Sequence, residues 1–506
     1  MTSASQPSSR VAGSAALTAA SLLASMGLGA VLAILVLLFF GKNVRTDAFF
    51  AAYGVFAVLN ALGQSLRITV VPRLVEAPDG DAALDAFLGA VGFMVVVAAI
   101  PLVVFGGQLA SVLVSSLGPV AEETARVALA LLWAAGSLQL VAGLLAGALG
   151  ARGRFAPPAM AYVAGSLTAI TALALLAGPV GIQAVSGALV LAALVAAGLL
   201  LRALYRDGYR PLPRRLWSSG REIPRALAQV LPGSIPYVVV QITYVTSLAY
   251  AARLGEGAVT LYSYAFFAAL LVVGATGGPA SMVLAAPLAQ TWDRDPTSLN
   301  PHLVTVTRAG LMLGAPMVAG IVFLGDEVLD VLLGAAVSGA EGDRVVTVVA
   351  ALSGFVVATL ANSVPMVAGF VASRYAAVAA LSALNVAVHL ALTAAAVGSG
   401  SLAAIGLAAS GSTACFLGSL IVLLWGRRGG APTALLLREI AQIGGAALVG
   451  FGAGWLAASA LGGAGWQLAG LIAGGMLFAA CLRLLPGPWG VARQLVGALP
   501  GARARR

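Results

Sequence analysis

Tyr53, Asn60, Gln64 and Arg67 stand at i, i+7, i+11 and i+14 of an otherwise apolar stretch, Thr46 to Pro72. On a helix they fall within about 60° of one another and make one polar stripe. A guanidinium near one end, with amides one and two turns deeper, suits a phosphate-bearing head group. Arginine pairs bidentately with phosphate oxygens, and amides both donate and accept. A second stripe carries Ser234, Tyr237, Gln241 and Tyr244 at spacings of three, four and three. Pro232 and Pro236 interrupt its start and can free carbonyls toward a cavity. Both stripes have a plainer reading. Polar side chains glue helices together in membranes, and Arg67, five residues from Pro72, can snorkel to the interface. Gln139 and Asn362 are lone amides open to the same two readings. Asn385 and His389 share a face at i and i+4, where an interhelical hydrogen bond is simpler than a proton relay. The tyrosines can stack on sugar or simply pack.

Nothing here points to bond-making chemistry. The 18 acidic residues fall in loops or at expected helix ends, so no midplane carboxylate is supplied for ion coupling. Asp47 comes nearest, and a first-turn capping role in the field of a helix N-terminus fits it better. No Gly-rich phosphate loop precedes a Lys-Ser/Thr pair, which excludes nucleotide hydrolysis by this chain. The longest polar interruption, Arg202 to Pro224, is too short for a catalytic domain. Cys415 and Cys481 sit in apolar stretches and suggest neither a disulfide framework nor a metal site. No enzyme activity, cofactor or metal is expected.

The elements that must position these side chains are membrane spans. Of 506 residues, 60% are hydrophobic and 9% charged, too little polar surface for a soluble protein of this size. The net charge of +10 comes from arginines in loops, with Lys42 the lone lysine, and does not indicate nucleic-acid binding. Fourteen apolar segments reach spanning length: 12–40, 47–71, 83–105, 124–150, 158–177, 181–204, 226–252, 257–289, 303–324, 345–372, 375–397, 401–425, 437–459 and 464–485. The first is too long for a signal-peptide core and reads as an uncleaved helix. Thr46 and Asp47 read as the N-cap of the second. With the N-terminus inside, 23 basic residues lie on the cytoplasmic side and five outside, so both termini are expected in the cytoplasm. The external loop after segment 9 is then acidic, with Asp326, Glu327, Asp330, Glu341 and Asp343, and reads as solvated.

The chain repeats itself. Tyr264-Ala265-Phe266-Phe267-Ala268-Ala269 echoes Asp47-Ala48-Phe49-Phe50-Ala51-Ala52, and Pro287 echoes Pro72, about 216 residues apart. Ala146-Gly147 with Arg152, Arg154 and Phe155 matches Ala368-Gly369 with Arg374 and Tyr375. Segments 1–6 therefore pair with 7–12 in the same orientation, a transporter pattern. The expected fold is an all-α polytopic membrane protein of two parallel six-helix lobes plus two C-terminal helices. Its parts would be an N-lobe at 1–204, a basic cytoplasmic linker at 205–225, a C-lobe at 226–426, and helices 13–14 with a basic tail at 427–506.

Ser25, Leu28 and Gly29, then Phe40-Gly41, Thr46-Asp47-Ala48-Phe49-Phe50 and Val71-Pro72, make this region resemble the lipid II flippases of peptidoglycan synthesis. These belong to the multidrug, oligosaccharidyl-lipid and polysaccharide exporter superfamily. The motif covers about fifty residues, and the 6 + 6 + 2 plan extends the likeness over nearly the whole chain. Where that family carries cavity-lining arginines in its first helix, this chain has Met26 and Leu32. Ala33 replaces the acidic residue that follows, and Asn60 replaces a basic residue of the second helix. The resemblance implies alternating-access flipping of a polyprenyl-linked saccharide, or another amphiphile, across the cytoplasmic membrane. Membrane lipids and cell-wall synthesis proteins would be the partners. A drug or metabolite exporter of the same superfamily, or a non-transporting scaffold in cell-wall assembly, are the other readings.

Overall fold

Asn43 starts the second span. Its side-chain oxygen accepts the N–H groups of Arg45 at 2.9 Å and Thr46 at 3.1 Å, an N-cap geometry. The cap thus precedes the Thr46-Asp47 pair expected to supply it. The Thr46 hydroxyl instead donates back to the Gly41 carbonyl at 2.9 Å, and the Asp47 carboxylate leaves its own helix altogether.

The computed structural model describes residues 24, 27–77, 79–211, 222–291, 300–333, 339–372, 374–426, 430–461 and 464–484. Among them the only strands or helices are helical. The order is α1 (Gly27–Phe40), α2 (Val44–Glu76), α3 (Gly80–Val114), α4 (Pro119–Ala151), α5 (Ala156–Val180), α6 (Gln183–Arg206) and α7 (Glu222–Ala251). It continues with α8 (Ala258–Thr291), α9 (Asn300–Leu333), α10 (Ala340–Ala351), α11 (Ser353–Val371), α12 (Tyr375–Val397), α13 (Leu402–Trp425), α14 (Gly430–Leu461) and α15 (Ala464–Leu484). Among the described residues, eleven stretches are long and apolar enough to cross a membrane, and three shorter apolar helices stand in the first, seventh and eighth places. Together these are the fourteen expected segments, with α10 and α11 sharing the tenth.

The helices bend where their backbone hydrogen bonds are interrupted. In α3, Pro101 lacks an N–H, and Phe105 leaves helical geometry at φ −118° and ψ 17°. The tenth span breaks between α10 and α11. Ser410 of α13 mends it, donating to the Ala351 carbonyl at 2.6 Å and accepting the Phe355 N–H at 2.9 Å. Without that hydroxyl, polar backbone would sit unsatisfied in an apolar bundle. The acidic stretch expected as a loop is mostly helical: α9 runs on to Leu333 and α10 begins at Ala340.

The chain forms two compact units, Met1–Ser263 and Tyr264–Arg506. In the first, α2 is the most buried long span, 61% of its apolar window against 17% for α3. It can lie close to α4 because glycines face each other there. A Cβ on Gly143 would sit 2.2 Å from the Gly63 carbonyl oxygen. On another side α2 runs antiparallel to α7. A Cβ on Gly54 would meet the Val245 methyl at 2.6 Å, and the Ser65 and Ser234 hydroxyls are hydrogen-bonded at 2.6 Å. The seventh segment therefore packs with the first unit.

In the second unit α14 and α15 cross on glycines. Cβ atoms on Gly454 and Gly470 would lie 2.1 and 2.5 Å from the opposing carbonyl oxygens, so the two backbones touch. The sequence repeat has a structural echo within each unit. Arg154 N–H closes onto the Leu149 carbonyl at 2.8 Å after α4, and Arg374 N–H onto the Gly369 carbonyl at 2.9 Å after α11. Ala48, Phe49 and Ala52 are buried, as are their counterparts Ala265, Phe266 and Ala269.

Candidate functional site

The α2 stripe is set by what flanks it. Gly63 faces α4, and Gly54 and Ser65 face α7. At about 100° per residue, Tyr53, Asn60 and Gln64 point between those two contacts. Their exposure agrees: Tyr53 and Asn60 are half-buried and Gln64 is exposed, although α2 is the most buried span of its unit. Gln64 is thus an exposed amide on the face of α2 between its contacts with α4 and α7. The Tyr53 ring is packed between Phe49 and Phe56, with centroids at 5.9 and 5.2 Å, which holds its position. Arg67 lies on α2 one turn past Gln64. Its side chain falls outside the described residues, as does that of Tyr237.

The α7 stripe divides. Ser234 is buried against Ser65, and Tyr244 is fully buried with its hydroxyl donating to the Ser263 hydroxyl at 3.0 Å. Both hold helices together. Gln241 is half-buried. In the second unit, Asn362 on α11 is 6% exposed, and its Oδ1 accepts no hydrogen bond among the described residues. Gln139 is half-buried on α4, with its backbone carbonyl against Gly63. His389 makes the expected interhelical contact. Its Nδ1 lies 3.3 Å from the Ser412 hydroxyl of α13, and its Nε2 3.2 Å from Thr393 on its own helix.

Asp47 does something its position in the sequence did not announce. Its carboxylate accepts the Gly257 N–H at 2.6 Å, the Thr260 N–H at 2.8 Å and the Thr260 hydroxyl at 2.5 Å. The two amides are orphan donors at the start of α8, and the hydroxyl adds a third bond. The residue before that helix is Gly257, φ +83°, which has no side chain to cap with. Asp47 caps α8 from α2, and its charge sits in the favourable field of that N-terminus. A glycine at an N-cap with no capping partner nearby in sequence is the clue that could have found it.

At the far end of the first unit, a polar cluster ties three helix ends together. Arg152, closing α4, pairs with Asp81 at the start of α3. Tyr209, just beyond α6, is fully buried and donates to Asp85 at 2.6 Å, with the Arg152 guanidinium 5.9 Å from its ring centre. Burial, then the Asp85 carboxylate, push the Tyr209 phenol above its ordinary pKa, so it remains a neutral donor. The first residues of the expected linker are therefore pinned; residues 212–221 lie outside the described ones.

The described residues form a helical bundle with eleven stretches able to cross a membrane and one polar stripe on α2, and comparison places it in a family. The family model for the lipid II flippase MurJ matches residues 36–468. The chain belongs to this family. The fold agrees: a solved lipid II flippase MurJ in an inward closed conformation superposes with a TM-score of 0.74 at 14% identity, covering 92% of this chain and 98% of that one. An inward-facing multidrug resistance MATE family transporter of the MOP superfamily gives 0.63 at 17% identity, over 83% and 95%. A MOP superfamily transporter from Pyrococcus furiosus gives 0.59 at 16%, over 84% and 96%. No curated protein sequence matches the chain. The MurJ family model spans both halves of the sequence repeat, so the resemblance read from fifty residues of the first two helices extends to the chain as a whole.

Proposed function

We propose that this chain is an alternating-access flippase that carries a polyprenyl-linked saccharide, of the lipid II class, across the cytoplasmic membrane. The observation that carries the proposal is the MurJ family match over residues 36–468. Both termini face the cytoplasm, as the 23-to-5 division of basic residues favours. The chain catalyses no covalent step; its work is to shield a charged head group while the polyprenyl tail stays in lipid. The working lobes are 1–204 and 226–426, joined by the basic linker, with 427–506 outside the repeat.

Head-group contacts come from Tyr53, Asn60, Gln64 and Arg67 on α2, with Gln241 and Tyr237 on α7 and Asn362 on α11; Tyr244, buried against Ser263, is left to packing. What supports the α2 set is its geometry: an exposed glutamine, a half-buried asparagine and a fixed tyrosine ring on one face of a buried helix. Cell-wall synthesis proteins that make or use the lipid are the natural partners.

A second reading has an observation of its own. The sequence positions where, by resemblance, the flippases carry arginines hold Met26 and Leu32, and a MATE transporter shares the fold. Those two facts favour an exporter of less anionic cargo. Proteoliposomes separate the readings. Exposure of inner-leaflet fluorescent lipid II to an impermeant external reagent supports the flippase; uptake of a cationic drug with no lipid II movement supports the exporter.

A further inference from the structure

Arg308 of α9 and Glu439 of α14 form a two-pronged ion pair, Nε to Oε2 at 2.7 Å and Nη2 to Oε1 at 2.5 Å. The transport reading uses neither residue. The Glu439 side chain is 4% exposed and Arg308 13%. Along the two helices the pair sits between apolar clusters: Leu303, Val306 and Leu436 on one side, Leu311 and Ile443 on the other. The helices run parallel, since Phe323 and Phe451 meet further along at 6.3 Å. Both charges lie about 12–13 Å along the axis from the start of their helices. The expected start of segment 13 at 437 had placed Glu439 at a helix end; α14 begins at Gly430 and carries it inward.

A buried ion pair is a poor way to gain stability. Replacing such a pair with apolar side chains of similar size is often neutral or stabilising, whereas stranding one charge is strongly destabilising. What the pair supplies is discrimination between registers. A slide of one turn would bring Arg308 toward Gln442, whose buried Oε1 accepts no hydrogen bond among the described residues. It would also leave the Glu439 carboxylate alone among Leu436, Ile443 and their neighbours.

We propose that Arg308 and Glu439 are a positioning pair that fixes the register of α14 on α9, and that transport depends on this register. The glycine contacts make α14 and α15 one body, so the pair places both helices. Neither helix belongs to the internal repeat, and the repeated architecture alone does not set where they sit. The dependence of transport on the register rests on the flippase reading; the register itself does not.

The test uses the full chain with Cys415→Ser and Cys481→Ala, spin-labelled at Thr305→Cys on α9 and Leu437→Cys on α14, both exposed positions. The parent should give one narrow distance. In Arg308→Met/Glu439→Met the melting temperature should hold. The distance should broaden or shift by about one turn, about 5 Å, and lipid II movement should fall at least tenfold. The swap Arg308→Glu/Glu439→Arg should regain the parent distance and most of the rate. A double-methionine protein with the parent's narrow distance, or with a shifted distance and the parent's rate, overturns the proposal. If that protein does not insert, the swap decides: a shifted distance in the swap overturns it equally. A parent that moves no lipid II defeats the flippase reading alone, and the distances still report on the register.

Discussion

The Asp47 carboxylate on α2 receives both the amide and the hydroxyl of Thr260, at 2.8 and 2.5 Å, and so caps the first turn of α8 from another helix. The bond joins residues 213 apart in sequence. It ties the beginning of one repeat's second helix to the beginning of the other's. Asp47→Ala should cost about 1–2 kcal/mol, the scale of a lost N-cap, and expose the start of α8. Thr260→Val keeps the amide bonds and should cost less. Hydrogen exchange at the Gly257 and Thr260 amides reads this directly. Unchanged protection in Asp47→Ala would show that the cap does not hold the helix end.

Arg67 separates cargo binding from anchoring. A guanidinium holding a phosphate makes two directed, charge-assisted bonds that an ammonium cannot reproduce. Arg67→Lys should therefore slow lipid II movement several-fold and Arg67→Ala nearly abolish it, with normal insertion in both. An arginine that only snorkels predicts full activity for lysine and a mild loss for alanine. Equal rates for the parent and Arg67→Lys at limiting cargo would sink the phosphate contact.

The glycine crossing of α14 and α15 gives a steric prediction. A side chain at Gly454 begins 2.1 Å from the Gly470 carbonyl oxygen, while a Cβ on Gly452 meets nothing within 4 Å. Gly454→Val should force the helices apart and lower the melting temperature by several degrees or prevent insertion. Gly452→Val should melt like the parent. Equal melting of the two variants would mean the helices do not pack through that face.

Tyr209 carries a pH dependence with a definite sign. Its folded-state pKa is raised above the ordinary value of about 10, so the neutral phenol is the bound form. The stability it contributes is full below the unfolded pKa and is lost as pH rises through the folded one. Tyr209→Phe should cost about 1–3 kcal/mol near neutrality, since Asp85 then loses a buried donor. The gap between parent and variant should narrow above about pH 10. A gap that widens at alkaline pH would contradict the neutral-donor assignment.

The fold was legible because membrane spans are written in composition: a long apolar run with polar ends has one physical solution in a bilayer. Span limits erred where charges entered the membrane. In the sequence Glu439 marks a helix end, because a buried carboxylate looks like a boundary until its partner Arg308, 131 residues away, is known. Asp47 suggests a cap of its own helix for the same reason, whereas the donors it binds lie at the start of α8. The α2 stripe was visible as a stripe, yet sequence could not say which face met α4 and which α7. That is settled by Gly63 and Gly54, where the absence of a side chain allows contact. The α7 stripe looked equivalent, and Ser234 and Tyr244 turned out to bond neighbouring helices.

The central claim is that this chain moves a lipid-linked saccharide between leaflets, and one measurement meets it directly. Purified protein is reconstituted into vesicles containing fluorescent lipid II on both leaflets, and a membrane-impermeant quencher is added outside. A flippase lets the quencher consume nearly all the fluorescence as inner-leaflet lipid is delivered, and Arg67→Ala slows the second phase. Quenching that stops at the outer-leaflet half, with parent protein that is folded and correctly inserted, would contradict the account.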